Sequence, residues 1–200
     1  MSRIFVLFLM FGYSSFCYSQ INDNKMKFGM HIGGIYPFMF SEKALPEKAE
    51  IVNTFGFVVG VNVDYPIASS FLVSPKVNLS VCESKVTFSD TKNTDYKLMQ
   101  FSFNFMADFV LKKWNSTLQP YLLIGPKYII PIDGKNNDID EYPSKSSYSL
   151  DFGIGFHKHL KKFSIAPEIR YSYGISDINS HPLLSALKYH SLSLVLNFKG

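Results

Sequence analysis

Cysteine is scarce in this 200-residue sequence, which has two, Cys17 and Cys82. Cys17 lies in the N-terminal apolar segment, and removal of that segment would leave Cys82 as the only thiol. No intramolecular disulfide could then form, which excludes the disulfide-stapled folds of many small secreted domains. We read Cys82 as a small packing residue of a strand.

Long apolar runs are also missing. Beyond residue 20, Gly, Pro, Lys, Asp or Asn interrupts every run before it reaches the roughly 18 residues of a membrane-spanning helix. Charged residues make up 18% of the chain, whereas 46% is hydrophobic and 16% aromatic, including 19 Phe and 12 Tyr. Such a composition needs apolar surroundings, and a closed β-barrel is the structure that crosses a bilayer without such a helix.

The N-terminal segment has the order of a secretory signal peptide. Arg3 precedes an apolar run over residues 4–11, and the small residues Cys17 and Ser19 suit cleavage before Gln20. The sequence therefore predicts a signal peptide at 1–19 and one domain at 20–200. A lipoprotein signal at Cys17 is the alternative, which bulky Phe16 disfavours.

The rest of the chain alternates between apolar and polar residues with a period of two, which is typical of strands that have one apolar face. Each such segment has at least the roughly 9–11 residues that a tilted transmembrane strand needs. The eight predicted strands are Met26–Pro37, Asn53–Tyr65, Phe71–Glu83, Leu98–Leu111, Leu118–Ile130, Ser147–His159, Phe163–Gly174 and Tyr189–Phe198.

The connections between these segments alternate in length, since residues 66–70, 112–117 and 160–162 are short. The intervening connections, 38–52, 84–95, 131–146 and 175–188, are long and polar. Short periplasmic turns that alternate with longer external loops are typical of outer-membrane barrels. The pattern predicts an all-β fold: an eight-stranded antiparallel up-and-down transmembrane β-barrel with both termini in the periplasm.

Alternation alone does not say which face points inward, because a soluble barrel also alternates, with its apolar residues inside. Here the polar face is rich in Gly, Ser and Asn, whereas a water-exposed surface normally carries many Lys and Glu. The apolar faces also hold more rings than an eight-stranded interior can pack. We therefore expect the rings to face lipid, with aromatic girdles at the strand ends.

The tight turn Lys161-Lys162 sets the register of its hairpin if Leu160 lies opposite Phe163. Asp151 then faces Ser172, Gly153 faces Arg170, and Gly155 faces Glu168, all on the polar face. The two glycines would leave room for the two long side chains. We predict a lumenal charge cluster with a structural role, formed by Asp151, Glu168 and Arg170. The same parity places Asn62, Asp64, Lys76, Asn78, Asn104, Asp108, Tyr121 and Lys127 inside, which predicts a filled lumen.

Several residues raise the question of chemistry. His157 and His159 share a strand face as metal ligands could, but no third ligand accompanies them, so polar residues at the rim are the better interpretation. A lipid-modifying site built on His157 or His190 with Ser191 and Ser193 lacks a nucleophile-elbow sequence. The acidic loop 133–146 lacks the spacing of a calcium loop. We expect no enzyme activity, cofactor, metal, nucleic acid or small-molecule substrate.

The latter half of the chain resembles a known family. The segments that carry the resemblance are Asp151-Phe-Gly-Ile-Gly-Phe156, Ile165-Ala-Pro-Glu-Ile-Arg-Tyr-Ser-Tyr-Gly-Ile-Ser-Asp-Ile178, Ser191-Leu-Ser-Leu-Val-Leu-Asn-Phe198 and Lys27-Phe-Gly-Met-His-Ile-Gly-Gly34. They are similar to the PorT-like outer-membrane β-barrels of Bacteroidota, and the similarity spans most of the mature chain. The C-terminus departs from the family pattern of a final aromatic residue, because Lys199 and Gly200 follow Phe198.

The resemblance implies an eight-stranded outer-membrane barrel without catalytic residues. The family's namesake is needed for type IX secretion, which exports virulence proteases or gliding adhesins. The expected partners are therefore outer-membrane lipid and other secretion-system or envelope proteins. A generic structural or adhesive barrel is the second hypothesis, and a lipid-modifying enzyme or small transporter is the third.

Overall fold

The computed structural model of the chain describes residues 26–46, 49–88, 94–112, 118–132, 143–182 and 184–200. The predicted signal peptide, residues 1–19, lies outside them, as do residues 133–142 of the acidic loop and residues 113–117 of one predicted short turn. Within the described ranges, no helix is long and apolar enough to cross a membrane.

The segments in which apolar and polar residues alternate form a closed antiparallel sheet. The described strands are β1 (Lys27–Ser41), β2 (Ala49–Ala68), β3 (Phe71–Phe88), β4 (Thr94–Leu98), β5 (Phe101–Lys112), β6 (Gln119–Pro131), β7 (Ser147–His159), β8 (Ser164–Gly174) and β9 (Leu187–Lys199). Consecutive strands pair with each other, except that β4 and β5 both pair with β3, and β1 pairs with β9, which closes the ring. The predicted eight-stranded up-and-down barrel is therefore confirmed.

The nine segments make eight barrel strands because β4 and β5 are two parts of one strand. Both pair with β3 in a single register, with Ser84 opposite Leu98 and Val81 opposite Phe101. The break lies at Met99, whose φ of 53° is rare for a residue with a side chain. Ser144 accepts a hydrogen bond from the Met99 N–H at 3.3 Å, and the Met99 side chain is fully buried.

Two connections differ from the prediction of long loops over 38–52 and 84–95. Strand β1 continues to Ser41 and β2 begins at Ala49, while β3 runs to Phe88 and pairs there with β4. Lys85 and Thr87 both contact Asp95 across this extension, at 2.7 and 2.8 Å. Polar cross-strand pairs sustain the ladder beyond the apolar band, so polarity alone did not mark the strand ends.

Away from the loop end, the apolar face of the strands points outward, as the sequence predicts, whereas at the loop end β4 turns Tyr96 and Leu98 inward. On β5, for example, Phe103 and Phe105 are both 44% exposed, whereas Asn104 and Asp108 on the other face are 2% and 0% exposed. The same alternation holds on β2, β7 and β9. The barrel therefore presents hydrocarbon to its surroundings and keeps its polar side chains in the lumen.

The lumen is layered along its axis. An apolar cluster, which we call the cap cluster, closes the loop end; it comprises Ile35, Met39, Cys82, Val86, Tyr96, Leu98, Met99, Ile129, Ile178, Leu184, Leu187 and Tyr189. The charged residues lie below it. A second apolar group, Leu72, Val110, Tyr121, Leu123 and Ala166, lies towards the short turns.

Part of the cap cluster comes from a loop that folds inward. Residues 175–188 were predicted as a long polar loop, but Ile178 and Leu184 are 0% and 7% exposed. Asn179 Nδ2 donates hydrogen bonds to the carbonyls of His181, Leu184 and Ser185 at 2.9–3.2 Å. These bonds satisfy the backbone of a tight loop and let its apolar side chains cover the mouth.

Candidate functional site: the lumenal charge network

Arg170 is the centre of the lumenal network. Its guanidinium donates to Asp108 Oδ2 at 2.6 Å, to Glu168 Oε1 at 2.7 Å and to Asp151 Oδ2 at 2.8 Å. The four side chains are at most 5% exposed. The structure thus brings together Asp151, Glu168 and Arg170 and adds Asp108 to them. The planar guanidinium has several N–H donors, and the three carboxylates around it accept hydrogen bonds from them.

Lys76 and Tyr121 complete the network. Lys76 Nζ lies 3.1 Å from Asp108 Oδ2 and 3.4 Å from Glu168 Oε2. The Tyr121 hydroxyl donates to Glu168 Oε2 at 2.9 Å. The two carboxylates that face Lys76 are therefore each shared between two cations, which compensates part of the cost of removing them from water.

Register explains why these residues meet. As the turn at Lys161-Lys162 predicts, Asp151 faces Ser172, Gly153 faces Arg170 and Gly155 faces Glu168. The glycines, however, do not make room for the side chains opposite them. A Cβ on Gly155 would overlap the Tyr121 ring, and one on Gly153 would lie 3.0 Å from Leu123 Cγ. The space beside both glycines is bounded by these side chains of β6 and by the β8 backbone, where the Pro167 and Ile169 carbonyl oxygens would lie 2.8 and 2.9 Å from the two Cβ atoms.

A substitution at Gly155 tests this packing. Gly155→Val should displace the Tyr121 ring and break its hydrogen bond to Glu168, at a cost of about 1–3 kcal/mol as for other overpacked sites. Urea titration in lipid vesicles measures the free energy of unfolding. In a Tyr121→Leu background the same substitution should cost at least about 0.5 kcal/mol less, since the two residues contact each other. Equal costs in both backgrounds would contradict the packing.

The buried charges of the described lumen balance in sign. Asp64, Asp108, Asp151 and Glu168 are at most 2% exposed, and Lys76, Lys127, Arg170 and Lys199 at most 6%. Lys199 Nζ lies 2.5 Å from Asp64 Oδ2, and Ser74 also donates to that carboxylate at 2.7 Å. Lys127 donates to Ser172 at 3.1 Å. Balanced charges in a narrow interior are typical of a filled lumen.

Little space remains beside the network. A cavity of about 10 Å³ lies between Arg170, Lys76, His31 and Asn78, where His31 Nε2 and Asn78 Oδ1 are 2.5 Å apart. That volume corresponds to roughly one water molecule. With the cap cluster above and the second apolar group below, this part of the barrel has no room for a solute.

The histidines do not form a metal centre in the described residues, where no group of three or more His, Cys, Asp or Glu could hold an ion. His157 is 3% exposed, and neither of its ring nitrogens has a hydrogen-bond partner. His159 Nδ1 lies 2.8 Å from Ser164 Oγ, and its Nε2 lies 3.3 Å from the Gln119 amide oxygen. In a hydrolytic Ser–His–acid triad, a carboxylate would commonly occupy the position of the Gln119 amide.

His190 lies on the outer wall. Its Nδ1 is 2.9 Å from the Tyr171 hydroxyl, and the rings of Phe40 and Tyr173 pack edge-on against it. Ser191 is fully buried on the opposite face of β9. The structure therefore does not bring His190 and Ser191 together as a catalytic pair would require.

Sequence reasoning missed two parts of the interior. Lys199 was considered only as part of the chain end, although it is in phase with Ser191, Ser193 and Asn197, which face inward. Parity along β9 could have placed it in the lumen. The cap cluster had no such signal, because Ile178 and Leu184 lie in irregular backbone.

Comparisons with known proteins agree with this architecture. The family model described as "Outer membrane protein beta-barrel domain" matches residues 9–180. No curated protein matches the sequence significantly. The crystal structure of Neisserial surface protein A aligns with a TM-score of 0.51 and 15% identity, covering 86% of this chain and 95% of that one. OprG from Pseudomonas aeruginosa aligns with a TM-score of 0.49 and 16% identity, covering 88% and 97%.

At 15% identity the likeness to Neisserial surface protein A shows the fold alone. The family match covers most of the sequence, including β1 to β8 and the residues of the charge network. The chain belongs to the outer membrane protein β-barrel domain family.

Proposed function

We propose that this barrel is a non-enzymatic component or assembly factor of type IX protein secretion in the cell envelope. The observation that carries the proposal is the filled lumen: Arg170 and Lys76 hold three carboxylates beside a cavity of about 10 Å³. A barrel without a passage acts through its surfaces, by holding a partner or a position in the membrane. The PorT-like pattern of residues 27–34, 151–156, 165–178 and 191–198 supports secretion as the process.

Both termini face the periplasm in this proposal. The short turn at residues 69–70 and the turn at 161–162 lie at the same end as Lys27 and Lys199. Short turns on the periplasmic side are usual in outer-membrane barrels. The cap cluster and the inward-folded loop 175–186 would then face the cell exterior.

A deletion strain tests the proposed function. We expect loss of export of cargo that carries type IX signals, with other outer-membrane proteins at normal levels and recovery on complementation. Undiminished export would exclude the secretion role. Loss of surface attachment alone would favour a structural or adhesive barrel, and altered lipid A would favour a lipid-modifying enzyme.

A further inference from the structure

The two ends of the barrel carry charge differently. At the loop end, cations and carboxylates pair with one another: Lys188 with Glu42 at 2.7 Å, Lys85 with Asp95 at 2.7 Å, and Lys145 with Asp177 at 3.7 Å. Charges of both signs are therefore exposed there and partly neutralise each other.

The turn end exposes three lysines, and no side-chain carboxylate of the described residues is exposed beside them. Lys158, Lys161 and Lys162 are exposed. Every side-chain carboxylate described in the turn-side half of the strands is buried: Asp64, Asp108 and Glu168 are at most 2% exposed and lie within ion pairs. We call Lys158, Lys161 and Lys162 the basic rim. It is a local positive field on an otherwise balanced protein.

The depth of the basic rim fits a lipid headgroup. Leu160 and Phe163 flank the lysine pair in sequence and are 36% and 46% exposed on the outer wall. Lysine side chains beside exposed apolar residues at a strand end extend their ammonium groups to the membrane interface. The rim therefore lies where the phosphates of the adjoining leaflet lie.

An apolar groove of about 660 Å³ runs over the outer wall from Phe71 of β3 to β8. One wall follows the register row from Phe109 to Tyr171, and the other follows the row from Leu111 to Ile169. The rows are two residues apart along each strand, roughly 7 Å. The volume of the groove and its apolar lining from five strands suit one acyl chain of a lipid.

The groove and the basic rim are aligned on β7. Ile154 lines the groove, and Lys158 lies on the same outward face four residues nearer the turn, roughly 13 Å away. A molecule with an anionic head and a long apolar chain would contact both. We propose that this surface binds an anionic phospholipid, with its phosphate at the basic rim and one acyl chain in the groove.

This inference requires that the barrel lie in a membrane, and it does not depend on a role in secretion. Its test uses the purified full chain reconstituted in phosphatidylcholine vesicles. Spin-labelled phosphatidylglycerol or phosphatidylcholine is added, and the motionally restricted fraction gives the relative affinity of each lipid for the barrel. Phosphatidylglycerol should associate roughly 10-fold or more strongly, given the attraction of several surface lysines for an anionic headgroup.

Matched variants separate the site from general charge. Lys158→Gln/Lys161→Gln/Lys162→Gln should abolish the preference, while Lys43→Gln/Lys97→Gln/Lys145→Gln at exposed loop-end positions should keep it. Ile154→Trp should fill the groove and lower the amount of restricted phosphatidylglycerol. Ile32→Trp, on the outward face of β1, should not. Heat-modifiable mobility confirms folding of each variant.

The wild-type protein supplies a measurement that needs no variant, because molar salt should weaken the preference several-fold by screening. Equal association of both lipids with the wild-type chain would overturn the inference. Equal losses in the two triple variants would overturn it too. So would a concentration-dependent dimer that Ile154→Trp abolishes, since a second copy would then occupy the groove.

Discussion

Replacing Arg170 by leucine should destabilise the barrel by about 3–5 kcal/mol, the usual cost of removing one partner from a buried ion network. The guanidinium contacts Asp108, Asp151 and Glu168. With leucine in its place, Asp108 and Glu168 would keep their contacts with Lys76, and Asp151 would lose its ion pair. Heat-modifiable mobility and urea titration in vesicles measure the loss.

Two further variants control for this result. Lys145→Leu removes an exposed pair at 3.7 Å and should change stability by less than about 1 kcal/mol. Arg170→Leu/Asp108→Leu should be more stable than Arg170→Leu alone, since one uncompensated carboxylate is then absent. If Arg170→Leu melts like the wild type, the cluster has no structural role.

A charged side chain placed in the cap cluster should release the loop that contributes to it. Ile178 is fully buried, and its N–H donates to the Leu187 carbonyl at 2.9 Å. Ile178→Asp would place a carboxylate among apolar side chains, at a cost on the order of 3–5 kcal/mol for an uncompensated buried charge. We expect residues 175–186 to leave the mouth while the paired strands stay folded.

Limited proteolysis with mass spectrometry measures this release as cleavage within 175–186. Pro182→Asp adds the same charge at an exposed position of the same loop and should leave it resistant. The conservative Ile178→Val should also leave the loop resistant to cleavage. Resistance of Ile178→Asp would show that the loop is not held by its apolar contacts.

The existence of the strands and the register of β7 with β8 were predictable because period-two alternation and one tight turn determine them. Counting back from Leu160 and Phe163 placed Gly153 opposite Arg170 without knowledge of the rest of the barrel. The inward position of Asp108, Lys76 and Tyr121 followed from parity in the same way. Which inward residues contact one another depends on how the barrel closes, so Asp108 was placed inside but not assigned to the cluster.

The interruption at Met99 and the inward-folded loop were not predictable in this way. Met99 adopts a left-handed backbone that its residue type disfavours, and a contact from Ser144, 45 residues away, accompanies it. Ile178 similarly occupies a polar loop, where its burial depends on side chains from several strands. Tertiary contacts determined both features, and sequence patterns describe local preferences.

The pairing of β1 with β9 has a kinetic consequence. Their register runs from Gly29 opposite Lys199 to Ser41 opposite Leu187, so one edge of β1 gains its partner only when the last strand arrives. Contacts of such long sequence separation form slowly. Until closure, the nascent barrel has two unpaired edges that can join other chains. Aggregation therefore competes with assembly of the barrel. The slower the closure, the larger the fraction of molecules that needs chaperone protection before insertion.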